Sequence, residues 1–366
     1  MKKITSFVLF LFVSAIAIAQ SSTYFKVTGK VIDAASKAPM QLASVFAQTT
    51  TMGTATAPDG TFTLWLPQGG YDLAVTFSGY ETVTRRISSA DANNSDITIE
   101  MKQQVKSMEE VAIKSSNELK DGLERYGGFF IENFIGKTTN STQCIIKNKE
   151  ALKFYFSKKR NRLKVLASEP LLVENTALGY RIKYTLDSFT HDYNTLVSAF
   201  TGYPLFEEMQ PVDAIQSAVW KANRITAYKG SILHFMRSTY NKQLKEEGFE
   251  VQFIVKSNGV DTAIKGLDYY GALNFDKNDS TQIVEVNPNQ TEVAILYKNE
   301  SPDKTYTDVN ENASKKFELS FVTFPPAQAI GIEQNGYYFD QNDITFTGYW
   351  GWEKVADMLP YDFKME

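Results

Sequence analysis

Between residues 23 and 103 apolar and polar residues alternate in short runs, each closed by a turn signal. No other feature narrows the available folds as much. Thr61-Phe62-Thr63-Leu64-Trp65-Leu66 puts Phe62, Leu64 and Leu66 on one side of a strand, because successive strand side chains point to opposite faces. Pro67-Gln68-Gly69-Gly70 turns the chain, and Tyr71, Leu73, Val75 and Phe77 then alternate. With Tyr24–Asp33, Ala43–Gln48, Gly53–Ala57, Thr82–Ile87 and Asp96–Met101 there are about seven short strands, and turns this frequent predict a Greek-key β-sandwich.

Ahead of the strands, Met1–Gln20 reads as a secretory leader. Lys2 and Lys3 precede the apolar run Phe7–Ile18, and Ala17-Ile18-Ala19 is a small-x-small cleavage site. The run is short of the ~20 residues a membrane span needs. Export is therefore expected, to the periplasm, the outer membrane or the cell surface. Cleavage after Ala19 would remove two lysines from a chain of net charge -4. No cysteine follows the apolar run to carry a lipid anchor, and no later segment reads as a span. Both charge signs are interspersed with no basic block, which argues against nucleic acid.

Several motifs of the strand region carry a family resemblance. Val27-Thr28-Gly29-Lys30-Val31-Ile32-Asp33, Ala43-Ser44-Val45, Pro58-Asp59-Gly60-Thr61-Phe62, Gly70-Tyr71-Asp72-Leu73 and Phe77-Ser78-Gly79-Tyr80-Glu81 follow one another in the order seen in carboxypeptidase regulatory-like domains. Residues 20–103 resemble that family, and the resemblance implies a transthyretin-like (prealbumin-like) sandwich. Ala57-Pro58 departs from the usual Thr-Asp before the turn. Ser107–Ile113 resembles the segment following this sandwich in TonB-dependent outer-membrane transporters. Such a barrel is not expected here, because roughly 22 strands of ~9–11 residues would need over two hundred residues in strands alone, before any plug or loops, and the remaining sequence lacks a regular series of such strands.

Residues 104–136 read as a polar connector followed by an amphipathic helix over Glu118–Ile135, with Gly127-Gly128 as a candidate break. Residues 137–366 read as a β-rich α+β domain. Strands are expected at Cys144–Asn148, Leu152–Phe156, Arg162–Leu166, Gly179–Phe189, Glu250–Lys256, Gln282–Val286, Glu292–Tyr297, Phe317–Phe324 and Ile344–Tyr349. One long helix is expected over Pro211–Gly248, bounded by its proline and glycine. The fold class is thus mainly β with α. Leu178-Gly179-Tyr180-Arg181-Ile182, Asn223-Arg224 and Tyr228-Lys229-Gly230-Ser231 are similar to gram-negative envelope proteins known only for containing a carboxypeptidase-like regulatory domain. That likeness implies class and location, with no activity attached.

Catalytic signals are missing where they would be sought. A carboxypeptidase zinc site needs a His-x-x-Glu pair and a distant His, but His191 is followed at that spacing by Asn194, and His234 by Arg237. No Gly-x-Ser-x-Gly elbow, phosphate-cradling loop or cation-binding twelve-residue loop is present. The single cysteine, Cys144, sits in an apolar run and reads as a small buried hydrophobe. No catalytic residue, metal or cofactor is assigned. The enzyme alternative is a glycosidase-like envelope hydrolase drawing on Asp187, Glu207 and Glu208, if two of these carboxyls face each other across a cleft.

The long helix carries the candidate binding residues. On a continuous helix, Ile215, Val219, Ala222, Met236, Tyr240 and Leu244 form an aliphatic stripe that should lie on a sheet. The other side carries Trp220, Arg224, Tyr228, Ser231 and His234, and at 100° per residue Trp220, Arg224, Ser231 and His234 share one narrow face. This face is either packed, with Arg224 met by a carboxylate or carbonyl, or a groove for a protein or glycan partner. The expected function is an exported, non-catalytic binding module.

Overall fold

A computed structural model describes residues 24–104, 118–257, 259–326, 328–339, 341 and 344–365. The leader and the Ser107–Ile113 segment lie outside the described residues.

The first seven strands form a two-layer sandwich: β1 (Tyr24–Asp33), β2 (Ser44–Ala47), β3 (Gly53–Ala55), β4 (Thr61–Pro67), β5 (Gly70–Thr76), β6 (Val83–Ser88) and β7 (Ile97–Met101). One sheet has the order β4-β1-β7 and the other β3-β2-β5-β6. Phe62, Leu64 and Leu66 are buried while Thr61, Thr63 and Trp65 are exposed, so the alternation read from sequence decides which face of β4 enters the core. Val27, Val31, Leu73, Val75, Ile97 and Ile99 complete that core.

The following strands, β8 (Cys144–Ile146), β9 (Leu152–Ser157), β10 (Arg162–Ala167), β11 (Leu171–Asn175), β12 (Tyr180–Asp192) and β13 (Val197–Glu208), make a six-stranded sheet. Its order is β8-β11-β12-β10-β9, and β13 pairs antiparallel along the other side of β12. Helix α1 (Gly122–Phe134) covers one face: Phe130 stacks on Phe134 and meets Phe189 edge-on, while Phe134 meets Tyr184 and Phe200. It runs unbroken through Gly127-Gly128.

The sequence predicts neither β11 nor β13. β13 contains Gly202 and Pro204, ordinarily strand breakers. The Pro204 nitrogen lies on the side away from β12, where a missing N–H breaks no ladder bond.

A third body contains β14 (Phe249–Ser257), β15 (Val260–Lys265), β16 (Asp276–Lys277), β17 (Val284–Val286), β18 (Glu292–Tyr297), β19 (Glu318–Thr323), β20 (Ile330–Ile332) and β21 (Thr345–Gly348). They form a five-stranded sheet, β15-β14-β18-β19-β21, and a small one, β16-β17-β20.

The single long helix is replaced by two: α2 (Ala214–Tyr228) and α3 (Ile232–Tyr240). The chain leaves α2 at Lys229 in extended geometry, and Gly230 has φ +77. Ser231 then caps α3, its Oγ accepting from the His234 N–H. This break changes the phase of the faces. Met236, Tyr240 and Leu244 enter the third body's core, but Ile215 is 76% exposed and Val219 50%. The expected stripe is therefore not one surface, and its α2 half faces solvent.

The sandwich is hydrogen-bonded to both later bodies. Thr49 donates its N–H to the Pro204 carbonyl (2.7 Å), and the Phe206 N–H donates to the Thr50 carbonyl (2.8 Å). Close to the turn at Thr49, Asn335 Nδ2 donates to the Gly70 carbonyl (2.9 Å) and the Tyr337 hydroxyl to Asp72 (2.9 Å). A Cβ on Gly70 would come within 2.6–2.8 Å of the Glu333 side chain, so this glycine also makes room for the neighbouring body.

Candidate functional site

The α2 face read as unusual is the one turned inward. Three of its side chains grip the backbone of the β11–β12 turn. Trp220 Nε1 donates to the Thr176 carbonyl (2.8 Å), Asn223 Nδ2 to Ala177 (2.8 Å) and Arg224 Nε to Leu178 (2.7 Å). Arg224 Nη2 reaches the Gly179 carbonyl (3.2 Å), and Nη1 meets Glu208 Oε1 (3.2 Å). The guanidinium also lies 3.9 Å from the centre of the Tyr180 ring. The carbonyl and carboxylate partners that a buried arginine requires are thus present. Asp213 caps α2 by accepting from the Gln216 N–H, which fixes where the helix begins.

The other candidates gather at the helix break. Ser231 Oγ donates to the Tyr228 carbonyl (2.7 Å), so this hydroxyl is engaged as a cap. His234 is buried between Tyr228 and Phe249. Its Nδ1 accepts from the Gly230 N–H (3.1 Å), and its Nε2 lies 3.1 Å from Glu247 Oε2. Accepting at Nδ1 places the ring proton on Nε2. Burial holds the imidazole below its usual pKa, with Glu247 opposing, so the ring is neutral around pH 7. The five residues therefore form two clusters. Trp220 and Arg224 secure a turn, and Tyr228, Ser231 and His234 secure a helix break. The one-face placement inferred for a continuous helix is corrected by the extended residue and glycine between the helices.

A cleft of about 340 Å³ opens beside the first cluster. Its walls include Tyr180, Glu208, Lys221 and Arg224, with Tyr24 from the sandwich and Asp362 from the C-terminal tail. Asp362 is tied to the sandwich, accepting from the Thr51 N–H (3.0 Å) and from its hydroxyl. Of the candidates named from sequence, Arg224 and, from the hydrolase alternative, Glu208 line the cleft. Tyr24 and Asp362 were missed because they come from remote segments and carry no local motif, and Lys221 because a lone lysine on a helix reads as a solvated charge.

The carboxyls considered for hydrolysis have other partners. Glu207 pairs with Arg181, Glu208 with Arg224, and Asp187 accepts from the Thr201 hydroxyl. Glu207 and Glu208 are strand neighbours and point to opposite faces. A separate acidic cluster went unnoticed in the sequence. Glu318 is buried, its Oε2 finds no partner among the described residues, and burial pushes its carboxyl up to about 9. Burial and the facing acids Asp357, Glu318, Glu300 and Asp303 also raise Glu353 well above the usual range. Asp357 is raised to about 6 by burial, although Thr138 and Asn140 donate to it. Among the described residues no group of three His, Cys, Asp or Glu side chains is placed to hold a metal ion.

The remaining reactive side chains are similarly occupied. His191 Nδ1 lies 2.8 Å from Ser198 Oγ, but that hydroxyl donates to Asn133 Oδ1 (3.0 Å) and so is not activated by the imidazole. Burial pushes the Cys144 thiol up to about 12. Among the described residues no helix is long and apolar enough to cross a membrane.

Comparison with known families matches residues 27–113 to the carboxypeptidase regulatory-like domain. No curated protein matches the chain. Among solved structures, a DUF3823 family protein from Bacteroides ovatus is similar at 11% identity, covering 50% of this chain and 81% of that one, with a TM-score of 0.17. A DUF3823 family protein from Parabacteroides merdae has the same identity and TM-score, with coverages of 54% and 86%. A 9R-lipoxygenase from Cyanothece is similar at 12% identity over 61% of this chain and 49% of that one, also at 0.17. A TM-score this low fixes neither fold nor function.

Proposed function

We propose that this chain, with its carboxypeptidase regulatory-like domain at residues 27–113, is an exported, non-catalytic module of the cell envelope that binds a glycan or protein partner. The observation that carries this reading is the cleft where the sandwich meets the six-stranded sheet, helix α2 and the C-terminal tail. Sites for small ligands favour such junctions between domains. Tyr24, Lys221 and Asp362, each with contacts of its own in the protein, bring a ring, an ammonium and a carboxylate to the cleft from three separate segments, a mixture suited to hydroxyl-rich or peptide ligands. Arg224 supports this wall as a positioning residue, because each of its three nitrogens already holds a protein partner.

The test is calorimetric titration of the full mature chain with soluble muropeptides and with envelope oligosaccharides. Binding should weaken at least tenfold in a Tyr24→Ala/Lys221→Ala double variant whose melting temperature is unchanged. Equal affinity in that variant, or no binding of either probe class, overturns the reading. Export is tested separately by N-terminal sequencing of protein taken from cells, which should begin at Gln20.

A further inference from the structure

The six-stranded sheet has three edges, one very short and one covered. β8 is only three residues long. β9 is covered by the chain entering α1: the Leu119 N–H donates to the Phe154 carbonyl (2.9 Å), and Glu118 bridges Tyr155. The third edge is β13, twelve residues long, with β12 as its only strand partner among the described residues.

The direction of its backbone groups follows from the register. The Pro204 carbonyl and Phe206 N–H point away from β12, toward the sandwich residues Thr49 and Thr50. In an antiparallel pair the N–H and C=O of one residue point to the same side, and the side alternates along the strand. β13 has no extra residue; the irregularity near Leu186 lies on β12. Ser198, Phe200 and Gly202 therefore turn their N–H and C=O groups outward as well. No backbone group among the described residues pairs with them there.

This edge also lacks the usual protection against pairing. Natural edges are blunted by charged side chains, inward-pointing charges or bulges. Residues 197–206, Val-Ser-Ala-Phe-Thr-Gly-Tyr-Pro-Leu-Phe, contain no charge. Pro204 is the sole blocking device, and it falls where the sandwich loop already covers the edge.

We infer that β13 pairs antiparallel, edge to edge, with β13 of a second copy of this chain, about a two-fold axis at Phe200. Two observations favour a second copy as the occupant. A dyad at Phe200 sets Ser198 against Gly202 of the other copy, using the outward groups of both strands. It sets Ala199 against Thr201 on the exposed face, so no like charges meet. The sandwich bridge between Thr50 and Leu205 bounds the free stretch of this edge and leaves residues 197–203 for the pairing. The result is one continuous sheet across the dimer, which would present two clefts together.

Analytical ultracentrifugation of the full mature chain tests this, from about 1 to 100 μM. A concentration-dependent dimer is expected. The Ala199→Lys/Thr201→Lys variant places ammonium groups opposite one another across the dyad. It should raise the dimer dissociation constant at least tenfold while leaving circular dichroism and melting of the protomer unchanged. Mixing it with an Ala199→Glu/Thr201→Glu variant should restore a mixed dimer. A wild-type monomer throughout the range overturns the inference. So does a dimer that both variants leave intact, or a monomer whose Phe200 and Gly202 amides resist hydrogen exchange, which would assign the edge to another segment of the same chain.

Discussion

Replacing Arg224 by alanine tests whether this residue holds the wall of the cleft or serves as a free contact. Its side chain is 13% exposed, against 58% for Glu208, so the carbonyl contacts matter more than the ion pair. Losing the charged donor should cost about 1–1.5 kcal/mol at each of the Leu178 and Gly179 carbonyls, with water relieving part of the deficit. The half-solvated Glu208 pair adds about 0.5 kcal/mol. The contact with Tyr180 adds about 0.5–1 kcal/mol. The sum is about 3 kcal/mol after allowing for water entry, or a melting-temperature drop of roughly 6–12 °C. Arg224→Lys keeps one point donor but loses the fork across two carbonyls, and should fall about midway. Thermal and urea unfolding, followed by circular dichroism, measure both variants. A drop below about 2 °C for Arg224→Ala would show that the gripped turn does not depend on the guanidinium, and the positioning role would be refuted.

Other perturbations have signs fixed by the same contacts. Glu318 has a folded-state pKa above its unfolded value, so the folded protein binds the extra proton and stability falls as pH rises from the ordinary glutamate range toward about 9. Glu318→Gln should therefore become more stable than wild type as pH rises, by up to ~1.4 kcal/mol per unit inside that window. Parallel melting curves at pH 5 and pH 8 would contradict this. Gly179 has φ +69, and a Cβ there would lie 2.3 Å from the Trp220 ring. Gly179→Ala should cost roughly 2–4 kcal/mol in urea unfolding, because it combines left-handed strain with displacement of Trp220 from the Thr176 carbonyl. A change under about 1 kcal/mol would mean that the turn relaxes freely.

By itself the sequence determined what depends on neighbours along the chain. The alternation through Phe62, Leu64 and Leu66 set the inner face of β4, since side-chain direction repeats every second residue whatever the partner strand. It also held the evidence for two helices, because Asp213 with Gln216 and Ser231 with His234 have N-cap spacing. Bounding the segment by Pro211 and Gly248 passed over the Lys229-Gly230 break. It further indicated that Arg224 needed carbonyl or carboxylate partners, without identifying Leu178, Gly179 and Glu208. Only the tertiary structure decided which α2 face is buried, leaving Ile215 and Val219 in solvent while Trp220 and Arg224 pack on the 176–179 turn. Only it brought Thr51 to Asp362, 311 positions away, and so formed one wall of the cleft. It alone showed that Gly202 and Pro204 lie in an edge strand, where the missing N–H of Pro204 falls on the side away from β12 and breaks no ladder bond. These outcomes depend on which distant surfaces meet, and side-chain periodicity carries no information about that choice.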